Sequence, residues 1–383
     1  MNRVSNSKPK SVVFLFINGP HHVYHLIIPA LKFSSISGNL DVIFVSGNPK
    51  NTQIIGKTAA SLSINNFRLI DIPIPLRYRI QNYKGKLYPP VYTRVEKVTN
   101  ILLNATAIIS TSHELPQHLD KHKIRKPVLF YLYHGTGTRE YGFESKLGQY
   151  DYIFTPGPYH QNRLTKSMPS KRDNFILTGA PKLEWMEKEL SKENKLFENQ
   201  NPVIYYNPHW DTSLSSYLKW GDDILDYFLK NNNVNLIFSP HPLLKHFAKS
   251  KNYKVSKDGR IKDNIIIDMS SERCFNGSYI MHSDIYLGDV SSLATEWMIF
   301  KSRPCIFINA HKIEWKNNES YQIWKYGKVI DNVKDLNLSI QKASSIKNNH
   351  LHQNNFKKAF IHDGEKPGSD ICAEFIKDII DNL

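Results

Sequence analysis

Two adjacent serines near residue 290 have the surroundings of an anion-binding helix start. Ser291 and Ser292 follow a short apolar run, Ile285–Leu287, and a Gly-Asp turn that contains Asp289. Hydroxyls at a helix start can donate to phosphate oxygens together with the N–H groups of the first turn. Glu296, one helical turn further on, is placed to accept from a ligand hydroxyl. The pattern predicts a diphosphate site, and a capping serine with a first-turn acid is the structural alternative.

A second candidate is a histidine held between two prolines. Ser239 ends an apolar run, and Pro240, His241 and Pro242 follow it directly. Proline restricts the backbone on both sides, which would aim the imidazole at the end of the strand. We predict that His241 and Pro240 belong to a donor-binding site, and a purely structural histidine is the alternative.

A third candidate lies at the end of an apolar run in the first half of the chain. His134, Gly135, Thr136 and Arg139 follow one another there, with a second glycine between them. The glycines would let the backbone approach a ligand closely, and His134 could take a proton from an acceptor hydroxyl. Arg139 could pair with a phosphate. These residues predict an acceptor site, and a tight turn is the alternative.

Two further polar groups also follow apolar runs. Asn207, His209 and Trp210 could bind nucleotide or acceptor, and we assign Asn207 to the donor site. His22 and His25 lie in the first turns of the first helix, and we assign them to the acceptor site. Closely spaced histidines could also hold a metal ion, but no carboxylate or cysteine lies near them in sequence. No metal site is therefore predicted.

Short apolar runs alternate with segments of helical length throughout, which is typical of parallel sheets with crossover helices. Their unbroken apolar character predicts strands that are buried on both faces. Before a charged segment at 183–201 the runs are Ser11–Ile17, Leu40–Val45, Ala107–Ser110, Val128–Tyr133 and Tyr152–Thr155, and after it they are Val203–Tyr206, Asn235–Ser239, Ile265–Ile267, Ile285–Leu287 and Cys305–Ile308.

A chain of 383 residues also exceeds one typical hydrophobic core. We therefore predict an α/β fold with two doubly wound, Rossmann-like domains that face each other across a cleft. Residues 1–185 would bind the acceptor and residues 202–370 the donor, and residues 371–383 would form a C-terminal helix.

The formal net charge of +15 indicates an anionic partner. A basic surface raises the local concentration of nucleotides, polyphosphate-like polymers, anionic lipids or nucleic acids. No basic cluster is interleaved with aromatic residues as in single-strand binders, so no nucleic-acid partner is predicted. A solvated surface rich in lysine and asparagine is the other explanation of the charge.

The cysteines and apolar runs predict a cytoplasmic protein. Cys274, Cys305 and Cys372 are odd in number and widely spaced, which argues against a disulfide framework and a CxxC metal site. The apolar stretch from Val12 to Ile17 is too short for a signal-peptide core, and no run approaches ~18 apolar residues. The charge would permit peripheral contact with an anionic membrane at its cytoplasmic face.

Several common catalytic motifs are absent from the sequence. It contains no P-loop, no HExxH, no GxSxG and no GxGxxG after a strand. Most nucleotide hydrolases, zinc proteases, α/β-hydrolases and dinucleotide-dependent oxidoreductases are thereby excluded.

Taken together and in this order, the three main motifs resemble those of the CDP-glycerol glycerophosphotransferase family, which builds wall and capsule polymers. These enzymes have a GT-B-type fold. The matching segments are His134-Gly135-Thr136, then His241-Pro242, then Ser283-Asp284 with Asp289-Val290-Ser291-Ser292 and Glu296, and finally the strand region Lys301–Ile308. The resemblance covers residues 128–310.

The resemblance implies His134 as the general base on the acceptor hydroxyl and His241 as a contact of the donor phosphate. It also implies that Ser291 and Ser292 hold the diphosphate and that Glu296 binds a donor hydroxyl. The expected reaction needs no metal or cofactor and moves a polyol phosphate, as in CDP-glycerol, onto a surface polymer or a lipid-linked primer. A GT-B glycosyltransferase with a nucleotide-sugar donor and a non-catalytic anionic-polymer-binding protein are the alternatives.

Overall fold

The structure is a computed structural model, and it describes residues 9–74, 76, 91–191, 194–240, 244, 259–269, 271–345 and 351–383. Two compact units divide these residues between them. The first unit takes the described residues of Met1–His134, Phe143–Lys182 and His362–Leu383, and the second those of Gly135–Gly142 and Leu183–Ile361. Residues 135–142 and 183–185, which the sequence placed in the first domain, group with the second unit, and residues 362–370, which it placed in the second domain, group with the first.

The described residues form parallel strands and crossover helices in alternation. The strands are β1 (Ser11–Phe16), β2 (Asp41–Ser46), β3 (Arg68–Asp71), β4 (Ala107–Ser110), β5 (Val128–Leu132), β6 (Tyr152–Thr155), β7 (Phe175–Leu177), β8 (Val203–Asn207), β9 (Asn235–Phe238), β10 (Arg260–Lys262), β11 (Ile265–Ile267), β12 (Ile285–Gly288), β13 (Cys305–Ile308) and β14 (Lys328–Ile330). The helices are α1 (Pro20–Ile36), α2 (Pro49–Ser61), α3 (Val91–Lys97), α4 (Thr99–Leu103), α5 (Leu115–Lys121), α6 (Pro158–Ser167), α7 (Pro181–Leu190), α8 (Tyr217–Lys230), α9 (Arg273–Asn276), α10 (Ser278–Met281), α11 (Ser292–Phe300), α12 (Leu336–Ser345), α13 (Leu351–Phe360) and α14 (Gly368–Asp381).

The first unit contains a seven-stranded, fully parallel sheet in the order β3-β2-β1-β4-β5-β6-β7. Chain order reverses between β1 and β4, which makes this pair the topological switch point. The central strands β1 and β4 are almost wholly buried, as their unbroken apolar sequences predict. Proline at the first helical position starts α1, α2 and α6 directly after strands. Polar residues at these strand ends therefore lie at the edge where α/β folds bind ligands.

The C-terminal helix α14 completes the first unit by packing against α1. Lys10 Nζ donates to the Ile380 carbonyl at 2.8 Å, and Lys32 pairs with Asp370 at 3.0 Å. The Phe375 ring contacts Tyr152 of β6 at a centroid distance of 5.1 Å. The last helix thus covers part of the first sheet, although the chain reaches it from the second unit.

The second unit repeats the doubly wound arrangement. Its seven-stranded sheet has the order β10-β11-β9-β8-β12-β13-β14, and only the edge pair β10–β11 is antiparallel. Here the order reverses between β8 and β12. The buried helix α11 follows β12, and its Trp297 donates from Nε1 to Ser283 Oγ at 3.0 Å. The predicted α/β fold with two doubly wound sheets is confirmed.

No helix in the described part of the chain is long and apolar enough to cross a bilayer.

Candidate functional site

A cluster of histidines lies at the switch point of the first sheet. We call His21, His22, His25, His113 and His134 the histidine cluster. The first three lie on α1 just after β1, while His113 follows β4 and His134 follows β5. Because β1, β4 and β5 are neighbours in a parallel sheet, their carboxyl ends bring these side chains together.

The rings of His22 and His134 are stacked, with centroids 4.0 Å apart and planes inclined by 28°. His113 lies 5.4 Å from His134, also measured between ring centroids. The structure therefore brings together His22 and His134, which the sequence assigned to acceptor binding and catalysis. The pKa of His25 is lowered by His134 as well, so all three predicted first-unit histidines interact.

Thr111, at the end of β4, connects two of these imidazoles. Its Oγ1 lies 2.9 Å from Nδ1 of His22, and its backbone hydrogen-bonds to His134. Nδ2 of Asn18 also lies 3.2 Å from Nδ1 of His22. An amide nitrogen only donates, so Nδ1 of His22 accepts and the ring proton sits on Nε2. Nε2–H of His22 is thus the nitrogen that can donate to a ligand.

Three imidazoles of the histidine cluster, those of His22, His25 and His134, are neutral at physiological pH. Burial lowers the pKa of His134 to about 4, and the hydrogen bond that the imidazole donates to the backbone of Thr111 only partly opposes this effect. Burial is also the largest cause that lowers the pKa of His22 and of His25, followed by His134 for His22 and by Lys182 for His25. A neutral imidazole is the form that can accept a proton, so His134 is in the protonation state that a general base needs.

A buried carboxylate occupies the switch point of the second sheet. Asp289, at the end of β12, is 1% exposed, and its Oδ2 accepts from the backbone N–H groups of His209 at 2.8 Å and Ser216 at 3.0 Å. Within the described residues, its Oδ1 has no hydrogen-bond partner. Burial raises the pKa of Asp289 to about 7, against the opposing effect of the two backbone N–H groups. Asp289 thus ties the loop after β8 to the end of β12.

The two serines begin helix α11, as the sequence predicts. Ser291 is the N-cap residue, and its side chain accepts from the backbone N–H of Leu293 at 3.2 Å. The capping alternative is therefore part of its role, although the hydroxyl hydrogen of Ser291 can still donate to a ligand. Ser292 is the first helical residue, and Glu296 lies one turn further on with 4% exposure.

Residues 135–142, which we call the strap, lie against the start of α11. A Cβ placed on Gly135 would be 3.1 Å from Cβ of Ser292 and 3.6 Å from Oε1 of Glu296. A Cβ on Gly137 would likewise lie 3.1 Å from Cβ of Ser292. Glycine is needed because the strap backbone approaches Ser292, whereas the sequence had suggested an approach to a ligand. The chain passes from the first unit to the second at the His134–Gly135 peptide bond.

The far part of the strap is held by side-chain contacts within the second unit. Thr138 Oγ1 donates to the Ser320 carbonyl at 2.7 Å, and Nη1 of Arg139 lies 2.9 Å from Nε2 of His209. Gly135, Thr136 and Arg139, which the sequence assigned to the acceptor, therefore lie among the residues assigned to the donor.

The remaining predicted donor residues follow β8 and β9. Asn207 is 8% exposed, and its Nδ2 donates to the Ser239 carbonyl at 2.5 Å. Pro240 is buried directly after Ser239. His241 lies outside the described residues, so its contact with the donor phosphate stays a prediction.

Sequence reasoning missed Thr111, His113 and Ser216, and it did not pair Arg139 with His209. Thr111 and His113 follow the buried strand β4, and the same rule that selected His134 could have selected them. The backbone contact between Ser216 and Asp289 has no side-chain signal in the sequence. Searched over the described residues, the structure contains no group of three or more His, Cys, Asp or Glu side chains arranged to hold a metal ion.

The two doubly wound sheets define an α/β fold of the GT-B type. A family model described as CDP-glycerol:poly(glycerophosphate) glycerophosphotransferase matches residues 85–365, which is more than half of the chain. The chain belongs to this family and is a glycerophosphotransferase-like enzyme, and the resemblance seen in the motifs is confirmed. A search of curated protein sequences returns no match.

Solved structures with the same fold include a polymerase and two nucleotide-bound proteins. The wall teichoic acid polymerase TagF matches with a TM-score of 0.60 and 15% identity, over 98% of this chain and 90% of that chain. The MnaA–UDP co-structure from S. aureus matches with a TM-score of 0.61 and 13% identity, over 98% of both chains. The UDP-GlcNAc 2-epimerase from Neisseria meningitidis bound to UDP-GlcNAc matches with a TM-score of 0.53 and 12% identity, over 97% of this chain and 100% of that chain. At such identities the similarity shows the fold alone.

Proposed function

We propose that this protein transfers glycerol phosphate from CDP-glycerol to a hydroxyl of a poly(glycerophosphate) chain or of its lipid-linked primer. Family membership supports both the donor and the type of acceptor. One TagF variant with the same fold was solved after a soak with CDPG, which is consistent with this donor. The proposal includes catalysis without a metal or other cofactor.

The observation that carries the proposal is the neutral imidazole of His134. Its pKa of about 4 leaves the ring unprotonated at neutral pH, and Thr111 holds the ring by a backbone hydrogen bond. In the proposed step, the acceptor oxygen attacks the phosphorus of the glycerol phosphate while His134 takes the hydroxyl proton. The bond from this phosphorus to the bridging oxygen breaks, and CMP leaves with that oxygen.

We propose that the start of α11 stabilises the negative charge that develops on CMP. Ser291, Ser292 and the N–H groups of the first turn would donate to the diphosphate, and Glu296 would accept from a donor hydroxyl. Such preorganised stabilisation is usually the largest single catalytic contribution. Asn207 and Pro240 would contact the same donor, and His241 would bind its phosphate, as the resemblance implies.

The acceptor would be held by the histidine cluster and by the overall charge. Nε2–H of His22 can donate to an acceptor oxygen, and His25 lies one turn further along α1. The net charge of +15 favours retention of an anionic polymer and attachment to an anionic membrane at its cytoplasmic face.

The proposal is tested by CMP release from CDP-glycerol in EDTA, with a lipid-linked or polymeric acceptor. UDP- and CMP-sugars serve as parallel donors, and reactions without acceptor measure hydrolysis. We expect CMP from CDP-glycerol alone, and elongation of the acceptor by glycerol phosphate detected by mass spectrometry.

Turnover of a nucleotide sugar in place of CDP-glycerol would replace the proposed chemistry with glycosyl transfer. Binding of the polymer without release of CMP from any donor would favour the non-catalytic alternative. Activity that disappears in EDTA and returns with Mg²⁺ would contradict the metal-independent part of the proposal.

A further inference from the structure

The loops that follow β1 and β2 contact each other closely at the carboxyl edge of the first sheet. The backbone N–H of Gly47, just after β2, donates to the Phe16 carbonyl at 2.9 Å. A Cβ placed on Gly47 would lie 2.8 Å from Cα of Ile17, a distance at which a side chain does not fit. The loop after β1 leads directly into α1, which carries His22. The contact between the two loops therefore bears on the histidine cluster.

A buried asparagine of α2 also binds the loop after β1. Asn51 is 0% exposed, and its Nδ2 donates to the carbonyls of Phe16 and Asn18, each at 2.8 Å. These two bonds use both hydrogens of the amide. They also fix its orientation, because the amide oxygen could donate to neither carbonyl. The backbone N–H of Asn51 donates to Oδ1 of Asn48, the N-cap residue of α2, at 3.0 Å. Asn51 is thus anchored in α2 and holds the loop after β1 by two hydrogen bonds.

Asn18 extends this restraint to His22. Its carbonyl accepts from Asn51, and Nδ2 of its side chain lies 3.2 Å from Nδ1 of His22. The hydroxyl of Thr111 approaches the same imidazole nitrogen at 2.9 Å. Because Nδ1 accepts from the amide of Asn18, it carries no proton, and the N–H of the neutral ring is at Nε2. The donor that selects this tautomer is therefore held in place from α2.

The tautomer of His22 decides what its second nitrogen can do. With the proton on Nε2, that nitrogen donates to a ligand oxygen, whereas with the proton on Nδ1 it could only accept. His22 is partly exposed, and its ring stacks on that of His134. A fixed tautomer thus gives the histidine cluster one donor beside the imidazole that is proposed to accept the proton.

We infer that Asn51 is a positioning residue of the acceptor site, which acts through Asn18 to fix the Nε2–H tautomer of His22. The acceptor role of His22 rests on the proposed function, whereas its tautomer does not. Without Asn51 the loop after β1 loses two hydrogen bonds, and Asn18 no longer donates to His22 from a fixed position.

The test follows the imidazole nitrogens of His22 by heteronuclear NMR in histidine-labelled protein, with their signals assigned by their loss in His22→Gln. The wild type should show an unprotonated Nδ1 and a protonated Nε2. Asn51→Ala and Asn51→Asp both remove the amide hydrogens, and Asp does so at nearly constant shape, so either variant that folds carries the test. In each, the two nitrogen shifts should move toward each other as both tautomers become populated. KM for the acceptor should rise about 2- to 10-fold with kcat within about twofold, since the loss is that of about one neutral hydrogen bond.

Asn264→Ala is the matched control. Asn264 is 4% exposed, and its Nδ2 donates to the carbonyls of Asn231 at 3.0 Å and Val234 at 2.9 Å. It makes the same pair of bonds as Asn51, but in the second unit and just before β11. The control should lose thermal stability to a similar degree, yet it should leave the His22 shifts and KM for the acceptor unchanged.

Asn18→Ala completes a double-mutant cycle. Because Asn51 acts through Asn18, the change at His22 that Asn51→Ala causes should be absent in the Asn18→Ala background. A change of the same size in both backgrounds would overturn the inference. A protonated Nδ1 in the wild type, or wild-type His22 shifts in the Asn51 variants, would overturn it as well.

The inference and the proposed function fail in different ways, because the NMR shifts are measured without substrate. A protein that shows the expected shifts but releases no CMP from CDP-glycerol would keep the role of Asn51 at His22 and reject the proposed function. A protein that turns over CDP-glycerol with the His22 tautomer unchanged in the Asn51 variants would do the reverse.

Discussion

In the first unit, the strands at the switch point are followed by His22, Thr111 and His113, whereas in the second unit they are followed by His209 and Asp289. Both sheets are doubly wound, and in each the strand order reverses at one pair of strands, β1 and β4 in the first sheet and β8 and β12 in the second. The carboxyl ends of both strand pairs are followed by polar residues that are largely buried. At the first, however, burial keeps the imidazole of His22 neutral, whereas at the second the carboxyl group of Asp289 lies between two backbone donors.

The difference gives the two clusters opposite responses to pH. The pKa of His134 is about 4 in the folded protein and about 6.5 in an unfolded chain, so its contribution to stability is lost as pH falls below about 6.5. The pKa of Asp289 is about 7 in the folded protein against 3.8, so its contribution is lost as pH rises from about 4 to 7. The same topology therefore holds a buried neutral imidazole in one unit and a carboxyl group that anchors a loop in the other.

The largest effect should come from removing the proposed base. His134→Ala should lower kcat for CMP release about 10³-fold, because a positioned general base typically contributes between about 10² and 10⁴. Affinity for CDP should change little, since the residues that we propose to bind the donor lie in the second unit. His122→Ala, at the end of α5 and outside the histidine cluster, is the control and should keep wild-type activity.

The pH profile of kcat/KM sharpens this prediction because it reports the free enzyme. The value of kcat/KM should be constant between about pH 6 and 8. It should fall only as the pH approaches 4, where His134 becomes protonated. A His134→Ala variant with more than about a tenth of the wild-type rate would show that another group takes the proton.

The next largest effect should come from Asp289, the buried carboxyl group of the second unit. In the wild type, unfolding free energy should fall by about 3 kcal/mol between pH 5 and pH 8 from Asp289 alone, because a buried carboxylate loses its proton. Asp289→Asn cannot ionise and should remove this part of the pH dependence. Urea unfolding at both pH values measures it, with Asp223→Asn on the exposed face of α8 as the control. Parallel pH profiles for wild type and Asp289→Asn would contradict the assignment.

A smaller loss of stability should follow when a glycine of the strap is given a side chain. Gly135 has φ +154°, and a Cβ there would lie 3.1 Å from Cβ of Ser292, so Gly135→Ala should cost about 1–3 kcal/mol of unfolding free energy. Gly137→Ala meets Ser292 at the same distance without a positive φ and should cost less. Gly56→Ala, in the middle of α2 with open space around it, should instead stabilise the protein by up to about 1 kcal/mol. Chemical unfolding measures the three changes, and equal effects on the unfolding free energy would contradict the contact between the strap and Ser292.

The smallest effect should come from Thr111→Val. This change removes the hydroxyl that contacts Nδ1 of His22 but keeps the backbone group that bonds to His134. A neutral hydrogen bond contributes about 0.5–1.5 kcal/mol, so KM for the acceptor should rise about 2- to 10-fold. Thr111→Ser should keep the wild-type KM. A fall in kcat at constant KM in Thr111→Val would show that Thr111 acts through His134 and not through His22.

The strands that sequence reasoning found and missed differ by their place in the sheet. Every central strand appeared as an unbroken apolar run. The missed strands are β3, β7, β10 and β14, which are the four edges of the two sheets. Edge strands here are three or four residues long and partly exposed, so their sequences carry no long apolar run.

The site divides in the same way between local and long-range information. Ser291 as a helix cap and His134 at a strand end could be predicted, because both depend on residues within a few positions of each other. The stacking of His22 on His134 needed only the order of strands around the first switch point, and a doubly wound fold supplies that order.

The amino-acid sequence by itself determined the α/β class, the central strands, the helix starts and the residue types that stand at the carboxyl ends of strands. Tertiary structure alone decided which unit each segment joins and which donor meets which acceptor. The strap shows the reason: Gly135 and Gly137 lie in the second unit because their missing side chains allow contact with Ser292. No local propensity encodes a contact between residues so distant along the chain. Only the packed fold brings Arg139 to His209, which lies 70 residues further along the chain.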